Sequence, residues 1–206
     1  MVEKLGVARA TVREALRFLE LQGALRIKAG PGGGPVVSVP GADHLASVVS
    51  LQLQFADAPF RSVIDARRAI YPVLAARAAE NASHQDVETM YQSVARMRSL
   101  MDDSDLLTEE LRRFQDIVAV AAGNTVLGLL VSALHRMSEG LEVDYDSKRS
   151  RAAVRGSEQI LRAIESGDAG EARVATEKHL TAAMRYLERT VPDELKKPVA
   201  WERQLA

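Results

Sequence analysis

Leu5-Gly6-Val7-Ala8-Arg9-Ala10-Thr11-Val12-Arg13-Glu14-Ala15-Leu16-Arg17-Phe18-Leu19-Glu20 is the stretch on which the reading of this chain turns. A glycine turn precedes a segment whose apolar residues Val12, Ala15, Leu16 and Leu19 keep the 3.6-residue rhythm of a helix. Arg9, Thr11 and Arg13 fall away from that apolar side, where the first turns of a helix can enter a DNA major groove. Arginine suits the role, because its planar fork can bond guanine O6 and N7 together. Gly23 caps the helix. Beyond it, Ala24 to Ile27 and Val36 to Val39 are strand-like, and the Ala29 to Pro35 run between them is too rich in Gly and Pro to be helical. The expectation for residues 1–28 is two short helices and a strand, and the following segment completes a two-stranded β-wing whose Lys28 can reach phosphate. A solvated amphipathic helix whose arginines pair with Glu14 and Glu20 is the competing reading, and periodicity alone leaves the two level.

Composition narrows the class. The 206 residues are 47% hydrophobic and 27% charged, enough to bury a core and too apolar for a disordered chain. Aromatics are only 4% while Ala and Leu abound, which favours helices and excludes an all-β fold. There is no cysteine, so disulfides, thiolate nucleophiles and Cys-ligated metals are excluded and a reducing cytoplasm fits. No apolar run approaches the roughly 18 residues of a membrane span, and no signal peptide is visible. The net charge of −1 says little by itself. Its distribution says more: residues 1–40 hold Lys4, Arg9, Arg13, Arg17, Arg26 and Lys28 against Glu3, Glu14 and Glu20, whereas the remainder is net negative.

Pro40-Gly41 closes the basic block, and from Asp43 the apolar period stays helical. Breaks at Asp57 to Pro59, Asn81 to Ser83, Asp102 to Asp105, Gly123-Asn124, Asp144 to Ser147 and Ser166 to Asp168 predict seven helices. Ser83 can cap with Asp86 at the third position, Gly167 can end one helix and Asp168 begin the next. Pro72 should kink the helix that contains it. Short connections imply an antiparallel bundle. The polar segment from Val191, with Pro192 and Pro198, is expected to leave that bundle.

The motif Leu-Gly-Val-x-Arg-x-Thr-Val-Arg-Glu-Ala-Leu-Arg-x-Leu-Glu, with the glycine-rich wing before Val36-Val37, resembles the winged helix-turn-helix of the GntR family of bacterial transcription regulators over residues 2–39. The resemblance implies that Arg9, Thr11 and Arg13 contact operator DNA and that Gly30 and Gly32 bring the wing to the minor groove. It also implies about one further helix and a half ahead of Leu5. The expected domain is therefore truncated at its start, and the numbered chain is expected to omit an N-terminal segment.

Residues 46–189 are similar to the FCD ligand-binding domain of the FadR subfamily, an antiparallel helical bundle with a central pocket. Asp65-Ala66-Arg67-Arg68-Ala69-Ile70-Tyr71-Pro72, Phe114-Gln115 through Gly123-Asn124, and Ile160-Leu161 through His179-Leu180 carry that likeness. Many members hold a divalent metal through an acid and three histidines. The matching positions here are Leu111, Gln115, Ser157 and His179, so the implied site retains one imidazole, and neutral amide and hydroxyl groups replace it poorly. Glu110 and Asp116 adjoin the lost ligands, but one step along a helix turns by about 100°, away from the pocket. The expectation is a bundle with no metal and no other cofactor.

A carboxylate effector then needs another cation. Arg67 is the candidate, with Gln115, Asn124, Ser157 and His179 as polar partners. Each has a plainer role: Asn124 as a helix cap, His179 as a core histidine, Arg67 in a pair with Asp65 or Glu80. Leu111 in place of an acid tilts the expected effector toward an acyl or hydrophobic acid. The resulting expectation is a mainly α protein: a winged helix-turn-helix (1–40), a linker (41–45), an FCD bundle (46–190) and a tail (191–206). Its function is expected to be a cytoplasmic, homodimeric, effector-responsive repressor that binds operator DNA and no membrane. Two rivals are an interaction protein with impaired DNA binding and a helical-bundle enzyme. The enzyme is disfavoured, since the paired Glu-x-x-His of a di-iron site, a P-loop and a calcium loop are all missing from the sequence.

Overall fold

In the computed structural model, residues 6–138 and 145–201 are described. The expected helix before Leu5 and the Asp144 end of one break lie outside them. The order is α1 (Arg9–Leu21), β1 (Leu25–Lys28), β2 (Gly34–Val37), α2 (Ala42–Phe55), α3 (Arg61–Asn81), α4 (His84–Ser99), α5 (Ser104–Ala121), α6 (Thr125–Arg136), α7 (Ser147–Glu165) and α8 (Ala169–Thr190), then a 3₁₀ turn at Glu194–Lys196. The fold is mainly helical, and the seven helices expected after residue 41 are all present.

Their ends are set by local chemistry. Ser83 Oγ accepts from the Asp86 amide while the Asp86 carboxylate accepts from the Ser83 amide, a reciprocal cap on α4. The side chains of Asp103, Asn124, Asp146 and Asp168 each accept from the amide three residues on and cap α5 to α8 one way only. Helix α3 is the axis of the bundle, packing against α5, α6, α7 and α8. Tyr71 and Leu74 of α3, Met90 and Met97 of α4, Phe114 and Val118 of α5, Val131 of α6 and Ile160 and Leu161 of α7 form the core. Removing one such Leu or Ile side chain to Ala costs about 2–5 kcal/mol. Despite Pro72, whose ring is buried, α3 runs unbroken from Arg61 to Asn81.

Three expectations need correction. The strands begin and end elsewhere than expected: β1 starts at Leu25 and β2 takes in Gly34 and Pro35, with Leu25 opposite Val37 and Lys28 opposite Gly34. Pro35 is tolerated because this ribbon has only edges. Residues 42–45 of the expected linker are the first turn of α2. The segment after Val191 also stays on the bundle. Leu195 is buried with Ile64, Met184 and Leu187, and the Phe60 amide donates to the Lys197 carbonyl while the Val199 amide donates to that of Ala58. Trp201 Nε1 then donates to Ser47 Oγ of α2 at 2.9 Å. Burial of apolar Leu195 and Val199 on either side of Lys196-Lys197-Pro198 makes this return favourable.

Candidate effector site

The N-terminal block presents its expected contact residues to solvent. Arg9, Thr11, Arg13, Lys28, Gly30 and Gly32 are all exposed. Glu20, the acid that the competing reading paired with arginine, instead accepts from the Ile27 amide at 3.0 Å and so braces the ribbon against α1. Among the described residues no ion pair forms inside this block. Gly23 sits in the left-handed region at φ 69°, and the Gly23 and Ala24 amides close α1 on the carbonyls of Glu20 and Leu19. Gly30 and Gly32 at the wing tip have φ of 95° and 80°, and no atom lies where their Cβ would be, so the tip leaves room for a close backbone approach.

Inside the bundle, polar groups converge where α3, α5, α6, α7 and α8 meet. Arg67 Nη2 donates to Gln115 Oε1 at 2.7 Å, and Nη1 reaches Ser138 Oγ at 3.4 Å. Its Nε is buried without a partner. Asp65 and Glu80, the anticipated alternatives, do not hold it: Asp65 is engaged by Arg61 and Arg68. Burial brings the Arg67 guanidinium down to about 10, which still leaves it charged at neutral pH.

Two histidines face this cation. His135 is buried, with Nδ1 3.0 Å from Asp116 Oδ1 and Nε2 unpartnered, and burial together with Arg67 holds its pKa down to about 4. His179 is held down to about 4 by burial, then by Arg149 and Arg67. Both rings are therefore neutral near pH 7. The His179 ring lies against Gly156 so closely that a Cβ there would overlap it. Tyr71 completes the group; its hydroxyl is buried and unpartnered, and burial raises its pKa.

Of the residues expected here, Arg67 and Gln115 meet directly and His179 lies within the field of Arg67. Two do not join them. Asn124 Oδ1 accepts from the Leu127 amide and caps α6, its plainer role. Ser157 Oγ turns back to the Ala153 carbonyl of its own helix at 3.3 Å. The positions that resemble a metal site do not fit a metal: Leu111 has no donor, and the Gln115 and Ser157 oxygens are already engaged. Among the described residues no three His, Asp or Glu side chains converge to hold one. Glu110 does turn away, toward α4, but Asp116 does not, reaching His135 instead.

Residues 62–182, more than half of the chain, match the FCD domain. The chain belongs to the FCD family. It is 24% identical over 188 residues to the HTH-type transcriptional regulator LutR of Bacillus subtilis (strain 168), covering 88% of this chain and 85% of that protein. A GntR structure from Streptococcus agalactiae superposes with a TM-score of 0.67 at 18% identity, covering 89% of this chain and 85% of the other. Escherichia coli McbR/YncC follows at 0.56 and 17% identity, covering 88% and 86%. The two-stranded ribbon before the FCD bundle fits the wing of GntR-type regulators. No helix among the described residues is long and apolar enough to cross a membrane.

The sequence does not single out Tyr71, Ser138 or Arg149 as site residues. A signal existed for two of them. Arg149 precedes Ala153 and Ser157 at four-residue steps on the buried face of α7, and Tyr71 follows Arg67 by four on that of α3.

Proposed function

We propose that this FCD protein is an effector-responsive transcription regulator, working in the cytoplasm as a homodimer and acting as a repressor. Arg67 carries the reading: a guanidinium drawn into the bundle and met only by the neutral oxygens of Gln115 and Ser138. A buried charge with no carboxylate bonded to it, and Asp116 acting only through space, is costly unless something anionic arrives, and an organic carboxylate supplies that charge with matching geometry. The exposed, unpaired Arg9, Thr11 and Arg13 read the operator, Lys28 holds phosphate, and the Gly30 and Gly32 tip follows the minor groove. Gln115 and neutral His179 orient the effector without competing for its charge. No metal and no catalytic group takes part. Because one winged helix covers one half-site, the bundle supplies the dimer that fixes the spacing of two.

Operator affinity measured by fluorescence anisotropy on the full-length protein tests this. Arg9→Ala and Arg13→Ala should each cost about 1 to 3 kcal/mol, and a carboxylate effector should loosen the wild-type complex. Unchanged affinity in both variants would refute the recognition face.

One observation favours a second reading, an interaction protein that keeps the sensor but binds DNA poorly. Helix α1 buries only Val12 and leaves Phe18 and Leu21 exposed. Operator binding that disappears against competitor DNA in the full-length protein would decide for it.

A further inference from the structure

We propose that the effector is a dianion, with Arg149 as the seat of its second anionic group. The inference rests on the effector reading of Arg67 and extends it to a residue that reading does not use. Arg149 lies on α7, only 7% exposed. Its guanidinium carbon stands 5.1 Å from the ring centre of Tyr145 and 5.5 Å from that of Tyr186, which are themselves edge to face at 5.6 Å. Those rings stabilise the charge through their faces but do not neutralise it. Among the described residues no side-chain donor of Arg149 meets an acceptor, and Nε is buried outright. The adjoining Ser150 hydroxyl is also buried and unpartnered.

Arg149 shares its surroundings with Arg67. Tyr145 and His179 each interact electrostatically with the Arg67 side, and each also lies against or within the field of Arg149. Two buried guanidiniums lie in the field of one neutral imidazole, and among the described residues no carboxylate bonds to either, Asp116 being held by Ser132 and His135 and acting on Arg67 only through space; the lining is doubly cationic. A monocarboxylate neutralises half of it. A dicarboxylate, or a carboxylate that also bears a phosphate, neutralises both and gives donors on Nε of each arginine an acceptor. This moves the effector away from the simple acyl acid that Leu111 suggested.

The test is isothermal titration calorimetry of the full chain with straight α,ω-dicarboxylates of three to six carbons, each beside the monocarboxylate of equal length. At least one dicarboxylate should bind about tenfold or more tightly than its partner, as expected for an added charge-assisted contact. Arg149→Met should erase that preference while leaving monocarboxylate affinity within about threefold, a change too small for a lost ionic bond. Arg149→Lys keeps the charge in case Arg149→Met misfolds, and should retain part of the preference. Equal binding of both series, or a preference indifferent to both variants, overturns the dianion and spares the Arg67 reading. If no acid of either series binds, both readings fail.

Discussion

The FCD bundle buries charge in two places and treats it in opposite ways. Glu110 of α5 is 4% exposed and fully met: Ser93 Oγ donates to it at 2.6 Å, Arg96 Nε lies at 3.2 Å and Arg113 Nη1 at 3.5 Å. Arg67 and Arg149 are also drawn inside, but among the described residues only neutral oxygens and aromatic faces bond or stack on them. The first arrangement closes α4 onto α5 and asks for nothing further. The second is incomplete as folded, and an incomplete charge balance inside a protein is the mark of a place where something binds. Deletion should separate the two. Glu110→Ala strands the buried Ser93 hydroxyl and takes the shared partner from two half-exposed arginines, which should cost about 1–3 kcal/mol in urea denaturation. Arg67→Met should stay within about 1 kcal/mol of the parent protein, since losing an unneutralised buried charge offsets the loss of its two hydrogen bonds. If Arg67→Met proves the more damaging, Arg67 is a strut and the effector site is wrong.

Acid should act on the same contrast. His135 and His179 have folded pKa values of about 4, below the ordinary 6.5 of the unfolded chain. Between those values the unfolded chain binds more protons, so stability is present at pH 7 and is lost as the pH falls through 6 and 5 toward 4. Each histidine should contribute roughly 2 kcal/mol of that loss between pH 7 and 5. His179→Phe should flatten the pH profile of the melting temperature. A profile that stays as steep in both His135→Phe and His179→Phe would mean that the rings are not held neutral.

The backbone beside the site gives a paired test with opposite signs. Mid-helix Gly→Ala normally stabilises by about 0.5–1 kcal/mol. Gly128→Ala in α6 should follow that rule, because its new Cβ would lie 3.6 Å from the Ala119 carbonyl oxygen, an ordinary contact. Gly156→Ala should instead lose about 1–3 kcal/mol by displacing the His179 ring, and weaken effector binding with it. Equal stabilisation by both would show that His179 has room to move and does not fix the site.

How much of this was legible follows from where the forces are local. Helix ends were readable because Ser83, Asn124, Gly167 and Asp168 act on amides or turns a few residues away. Arg67 and Gln115 could be paired through the family likeness, although 48 residues separate them. For Arg149 the four-residue steps to Ala153 and Ser157 could give the buried face of α7 but not its surroundings, because Tyr145 and Tyr186 lie on different segments. The return of the tail was missed for a related reason. Prolines 192 and 198 look like an exit, yet Leu195 finds apolar cover on Ile64, more than a hundred residues earlier, as well as on α8, and the Val199 amide bonds to the Ala58 carbonyl.

The smallest effect expected is at an exposed pair, and it decides whether burial or pairing makes Glu110 matter. Asp43 in the first turn of α2 lies 2.9 Å from Arg136 Nε at the end of α6, with both side chains about half exposed. In water the attraction of such a pair nearly cancels against its hydration and the ordering of two side chains, leaving about 0.2–1 kcal/mol. The α2 N-terminus adds a few tenths for a carboxylate in that position. Asp43→Asn should therefore lower stability by less than about 1 kcal/mol, and the difference should shrink in high salt as screening shortens the reach of the charges. A loss as large as that of Glu110→Ala would mean that contact distance alone sets the worth of these pairs, and the inference from unneutralised burial at Arg67 and Arg149 would lose its basis.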